Sequence, residues 1–196
     1  MRYKWTIIIA IILVLTSVVI GCEKHKATKE EAYKEFQDKI SKMEYYKCIA
    51  DVEVLGNKSS QKYSLVHEYN GSGNFKLKVI EPKHLKGKTI EYQQNKIIVT
   101  NPDIKDKLVI PNVGEDSQHL FIGDFIKNYL QGEDVEIEMK DGYLILTVSI
   151  PGNTKYFSKQ ILYVDSKKNY PAKLEIVDQE GNNRFIVNYS NFEYKK

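Results

Sequence analysis

Cysteine, arginine, tryptophan and proline are all scarce in this sequence. Its 196 residues include two cysteines, one tryptophan and five prolines, and the only arginines are Arg2 and Arg184. Two cysteines, Cys22 and Cys48, cannot make a disulfide-stapled scaffold, and no cysteine or histidine cluster has the spacing of metal ligands. The four histidines, His25, His67, His84 and His119, form neither HxH nor HExxH. There is no glycine-rich phosphate loop, and Gly71-Ser-Gly73 lacks the strand–elbow–helix setting of a catalytic serine. Carboxylates are plentiful but scattered. The sequence therefore offers no catalytic, metal-binding or cofactor-binding residue, and it reads as that of a non-enzyme. An excess of one charge is also missing. The formal net charge of +3 falls to about +1 once Arg2 and Lys4 are set aside, too little to attract nucleic acid.

What is present begins at the N-terminus. Arg2 and Lys4 precede an apolar stretch from Trp5 to Ile20, and Gly21-Cys22 follows. A helix of that length would span about 24 Å, short of the ~30 Å hydrocarbon core of a bilayer. Residues 1–21 read as a lipoprotein signal peptide. The small Gly21 lets a signal peptidase reach the bond, and the Cys22 thiol takes the lipid. Two or more acyl chains on one residue anchor stably, whereas a single chain is marginal. Residues 22–27 are then a lipidated tether, and the expected location is the outer face of a membrane.

Residues 28–196 read as one domain. Thr28 and Glu31 form a capping-box pattern, and Tyr33, Phe36, Ile40 and Met43 recur at helical spacing. Glu30–Lys34, Glu35–Lys39 and Asp38–Lys42 are supportive i,i+4 pairs. From Lys47 onward the sequence alternates with period two, as in Phe75/Leu77/Val79, Leu144/Leu146/Val148/Ile150 and Ala172/Leu174/Ile176. Asn70-Gly71 and Asp141-Gly142 are strong hairpin signals, with weaker ones at Pro102-Asp103 and Glu180-Gly181. About eleven strands result, too many for a flat sheet. A second helix from Leu120 to Leu130, stopped at Gly132, has so wide an apolar surface that it belongs inside the mouth of the curved sheet. The expected fold is mostly β within the α+β class: a strongly curved antiparallel half-barrel with two helices on or in its concave side. Cys48 alternates with Ala50, Val52 and Val54, so it is either a small buried hydrophobe or a partner for an intermolecular disulfide.

The run from Phe75 through Glu81-Pro82 and Gly87 to Pro102 resembles the LolA/LolB family of lipoprotein carriers. So does Tyr170-Pro-Ala-Lys-Leu-Glu-Ile followed by Asp178-Gln-Glu-Gly181. The likeness spans nearly all of residues 28–194. With its lysine-rich composition and lipobox, the chain looks most similar to a clostridial spore-germination branch of that family. By this resemblance it would bind a zinc-dependent N-acetylmuramoyl-L-alanine amidase (CwlD-type) and promote that enzyme's zinc binding. Muramic-δ-lactam could then form in the spore cortex. The zinc would belong to the amidase and not to this chain. The alternative is a carrier holding lipid or lipoprotein acyl chains in an apolar cavity. A homodimer by strand exchange is a further expectation, while the sequence names no interface residue. Replacing Cys22 by Ala should move the protein from the membrane fraction to the soluble one; a variant that still sediments with membranes would overturn the anchoring assignment.

Overall fold

The computed structural model describes residues 28–70, 74–93, 96–104, 107–111, 122–131, 135–152 and 155–195. Helix α1 spans Lys29–Ile40. The capping box forms as expected: the Thr28 hydroxyl accepts from the Glu31 amide at 3.2 Å, and the Thr28 amide donates to Glu31 at 2.9 Å. Phe36 and Ala32 point inward and are buried. Glu35 and Lys39, which the spacing pairs along the helix, both reach beyond it. Lys39 Nζ donates to the carbonyls of Lys168 and Asn169 at 3.2 and 2.8 Å and lies 3.9 Å from the Tyr170 ring centroid. Glu35 accepts from the Asn169 amide. The helix is thereby tied to a turn of the sheet.

Among the described residues eleven antiparallel strands follow, the number expected. They are β1 (Tyr45–Leu55), β2 (Ser60–Asn70), β3 (Asn74–Glu81), β4 (Thr89–Gln93), β5 (Lys96–Thr100) and β6 (Lys107–Pro111), then β7 (Val135–Lys140), β8 (Tyr143–Ser149), β9 (Lys159–Asp165), β10 (Tyr170–Val177) and β11 (Asn183–Lys195). Their order in the sheet is β6-β5-β4-β3-β2-β1-β11-β10-β9-β8-β7. Each strand therefore lies beside its sequence neighbour, and β1 pairs with β11. Among the described residues one junction is left open, between β6 and β7. Between β6 and β7 in the sequence lies helix α2 (Ile122–Gln131).

Alternation places the core on the concave face. Leu144, Leu146, Leu162, Val164 and Leu174 are fully enclosed, each worth about 1.5–3 kcal/mol of burial. Cys48, Ala50 and Val52 lie on the same face, as do Phe75, Leu77 and Val79. The Asp141-Gly142 and Glu180-Gly181 turns fall where the sequence puts them, whereas Gly71 of the expected Asn70-Gly71 turn lies outside the described residues. At Asp141-Gly142 both residues have positive φ, 51° and 82°, as a tight two-residue turn requires. One alternation fails. The register of β10 against β9 shifts between Pro171 and Lys173, so Pro171 takes the buried position and Ala172 is half-exposed on the outer face. A bulge adds one residue, bends the strand and moves its side chains to the other side.

Helix α2 packs against β8, as α1 does. Ile122 and Phe125 are completely buried, and Tyr129 nearly so. Leu120 and Phe121, assigned to this helix from the sequence, lie outside the described residues. Gly123 sits against β3: a Cβ there would stand 2.7 Å from two carbons of the Phe75 ring. Among the described residues no helix is long and apolar enough to cross a membrane. Gly123→Ala should cost about 1–3 kcal/mol through this overlap, and Phe125→Ala about 3–5 kcal/mol through the space it empties. For a domain of this size each kcal/mol lowers Tm by roughly 2–4 °C. Calorimetric Tm values check both; an unshifted Gly123→Ala would mean that the helix is not seated on Phe75.

Candidate functional site

The open seam leaves two strand edges, and they are built differently. On β7 the side chains alternate, with Val135, Ile137 and Met139 half-buried and Glu136, Glu138 and Lys140 exposed. Outward charges of this kind discourage a foreign strand. On β6 all five residues are exposed. Leu108, Val109 and Ile110 have relative exposures of 60%, 50% and 41%. Its inner neighbour is β5, with Val99 opposite Leu108, Ile98 opposite Val109 and Ile97 opposite Ile110. No described strand covers its outer side. Ile104, in the preceding turn, is 57% exposed. An apolar strand with a free edge is a template for a strand from another chain, with backbone hydrogen bonds giving affinity and alternate side chains giving specificity.

The concave side is filled where α2 lies, and part of the filling is polar. Asn128 Nδ2 donates to Gln160 Oε1 at 2.9 Å and to Asp124 Oδ2 at 3.3 Å, and Gln160 Nε2 donates to the same Asp124 oxygen at 3.3 Å. All three residues are buried. The set ties α2 to β9, and with Gly123 on Phe75 it fixes the helix at both flanks. At its C-terminal end Tyr129 bonds to Tyr33, and Gln37 Nε2 donates to both hydroxyls, at 3.0 Å for Tyr33 and 2.9 Å for Tyr129. This joins the two helices. Asp124 and Asn128 sit among apolar residues in a helix whose sequence shows only its hydrophobic stripe. Gln160, their partner 36 and 32 positions away, gives no local signal.

The residues singled out from sequence chemistry are not brought together. Cys22, His25, His119 and Gly71–Gly73 lie outside the described residues. Cys48 is buried, and that burial pushes its thiol far above the usual range, so it is inert. His67 is also buried, its ring parallel to Tyr189 at 6.2 Å and edge-on to Tyr46 at 5.7 Å. Burial lowers its pKa to about 3. Glu68, its neighbour, faces outward and pairs with Lys47 at 3.0 Å. His84 is exposed in the short 3-10 turn Lys83–Leu85. The Tyr46 hydroxyl is buried without a hydrogen-bond partner, and burial pushes it far above the usual tyrosine range. At the far end of the sheet Arg184 grips Asp178, with Nε at 2.8 Å and Nη2 at 2.6 Å, and reaches Asn57 at 2.7 Å. Burial opposes ionisation of Asp178, but bonds from the Asn182 amide and side chain, Arg184 and the Glu180 amide outweigh it and hold its pKa low. Among the described residues no group of three histidine, cysteine or acidic side chains is arranged to hold a metal.

Comparison with known proteins adds three findings. A family model described as "Sporulation protein YdcC-like" matches residues 2–196. A chain in the structure of the CwlD amidase from Clostridioides difficile in complex with the GerS lipoprotein is 53% identical, with a TM-score of 0.56. The match covers 88% of the present chain and 99% of the other. An uncharacterized conserved protein from Thermus thermophilus is 12% identical over 84% of this chain and 88% of its own, with a TM-score of 0.51, and shares the fold. No curated protein matches the chain in sequence.

His67 makes stability depend on pH. Its folded pKa of about 3 lies below the ordinary 6.5, so the unfolded chain takes up a proton that the folded one refuses. Stability is full above pH 6.5 and is lost toward pH 3, by up to ~1.4 kcal/mol per pH unit. Asp178 acts only at and below the usual carboxylate range. Denaturant unfolding at pH 7 and 4.5 should therefore differ for the native protein and differ little for His67→Phe; equal slopes in the two would refute the assignment.

Proposed function

Because the chain belongs to the YdcC-like family of sporulation proteins, we propose that it is a non-catalytic lipoprotein, held to a membrane through Cys22, that binds and activates a CwlD-type N-acetylmuramoyl-L-alanine amidase. The observation that carries this reading is the 53% identity to a chain of the CwlD–GerS complex, over 99% of that chain. Of the two proteins in that complex, GerS is the fitting counterpart. This sequence ends its leader at a lipidatable cysteine and offers no metal-ligand cluster among its described residues. The amidase supplies the zinc and the chemistry. The lipoprotein supplies a rigid surface whose docking favours the amidase conformation that holds zinc. Linkage then requires zinc to tighten docking by the same factor. The activated amidase trims cortex peptidoglycan so that muramic-δ-lactam can form for germination.

The β6 edge is the docking surface we assign, since of the two edges it is the one with an apolar, uncharged centre at Leu108–Ile110. The same edge suits exchange of strands with a second copy. The alternative, a carrier of acyl chains, needs an apolar cavity. Ile122 and Phe125 occupy the concave side, and Asp124, Asn128 and Gln160 make part of it polar, which weighs against that alternative.

The decisive measurement is the zinc content and peptidoglycan-cleaving activity of the amidase with and without the full-length lipoprotein in detergent micelles. Both should rise on addition, and apo-amidase should bind the lipoprotein more weakly than zinc-loaded amidase. Val109→Lys should weaken amidase binding at least about tenfold at unchanged Tm, because a charged edge resists strand addition. No rise in either readout, with bound acyl chains found in the purified protein, would turn the assignment to the carrier. Equal affinity for apo and zinc-loaded enzyme would remove the linkage mechanism.

A further inference from the structure

The outer face of the sheet should be plainly polar, since it meets water. Across β8–β10 that polar face is interrupted by Ile145, Ile161, Tyr163 and Ala172. Strand register aligns Glu138, Ile145, Tyr163, Lys173 and Asn188 in one row crossing five strands. All five line a groove of about 670 Å³, within the usual range of ligand sites. Tyr143 stands beside the row with its ring edge-on to Tyr163 at 6.4 Å, and it is 38% exposed. Tyr163 is held rigidly: its hydroxyl donates to Glu175 at 3.0 Å, and Lys173 Nζ lies 3.8 Å from its ring centroid while bonding Glu175 at 2.9 Å.

We propose that this groove binds the glycan strand of peptidoglycan, an extended β-1,4-linked pyranose chain. Three observations favour that occupant. The row runs perpendicular to the strands, whose spacing of ~4.8 Å is close to the length of one pyranose unit in such a chain. The exposed Tyr143 ring and the Ile145 floor offer an apolar platform for the flat faces of sugars, with amphipathic tyrosine suited to a half-wet site. Around them Glu138 and Asp141 offer acceptors to sugar hydroxyls, and Lys140 and Lys173 offer donors to acetamido and carboxylate oxygens. The pinned Tyr163–Lys173–Glu175 set has already lost its side-chain freedom, so little ordering cost remains at binding. The inference rests on the reading that the docked amidase acts on peptidoglycan; the lipoprotein then holds the enzyme's substrate as well as the enzyme.

The test titrates full-length protein in detergent micelles with chitohexaose, using maltohexaose as the α-linked control. Chitohexaose should bind, maltohexaose should not, and Tyr143→Ala should weaken binding at least about tenfold with Tm unchanged. Tyr163→Phe, which removes only the hydroxyl, should weaken it a few-fold. Absence of chitohexaose binding, equal binding of the two sugars, or full affinity in Tyr143→Ala would each overturn the proposal. If Tyr143→Ala instead abolishes amidase docking while the native protein ignores chitohexaose, the groove is a protein interface. The saccharide site then falls and the activator reading stands. If chitohexaose binds as described but amidase zinc and activity never respond, the activator reading falls and the saccharide site stands.

Discussion

Everything in this molecule depends on one junction that does not form. Ten neighbouring strand pairs follow without interruption from β6 round to β7, and an eleventh between these two would close a barrel. Closure would satisfy every edge at once. Helix α2, which follows β6 in the sequence, packs on the concave face against β3, β8 and β9. Its Ile122 and Phe125 are buried to zero exposure, and its first turn is so close to Phe75 that only glycine fits at position 123. The sheet thus gains part of its core from α2, and among the described residues β6 and β7 remain its edges.

Those edges explain why the molecule is asymmetric. β7 carries Glu136, Glu138 and Lys140 on its outer face and so resists pairing. β6 carries Leu108, Val109 and Ile110 with no charge among them. In a protein that worked alone, an exposed apolar edge would be a liability for aggregation. Retaining it is understandable where a partner strand covers it in use. The polar set Asp124–Asn128–Gln160 argues in the same direction. Buried amides and a carboxylate fully engaged with one another fix α2 in one position, which suits a rigid docking frame better than a cavity that opens for lipid.

How much of this was legible follows from the range of each interaction. The capping box at Thr28 and Glu31, the period-two strands and the Asp141-Gly142 turn are local, and the residues themselves announce them. The bulge at Ala172 is not local: it depends on which residue of β9 faces β10. Neither is the burial of His67, whose neighbours Tyr46 and Tyr189 come from strands on either side of the chain's closure. Leu108-Val-Ile110 reads like any other strand, and only the sheet order turns it into an uncovered edge. The row Glu138–Ile145–Tyr163–Lys173–Asn188 draws one residue from each of five strands, so no stretch of sequence displays it. Sequence patterns of short range give the elements; sites assembled from register need the register.

Rigidity also decides whether docking can alter a partner's metal affinity. A surface that adapts to any conformation binds all of them alike, and a ligand with equal affinity for two states shifts neither. A strand edge is discriminating because its hydrogen bonds come in register or not at all. With α1 tied by Lys39 to the turn at Asn169 and α2 clamped between β3 and β9, little of this frame can yield. If it docks tenfold more tightly to one amidase state, that state is favoured tenfold. Were zinc bound only there, the gain in zinc affinity could not exceed the same tenfold. Under the proposed function, the strength of activation is therefore bounded by how poorly β6 fits the wrong conformation.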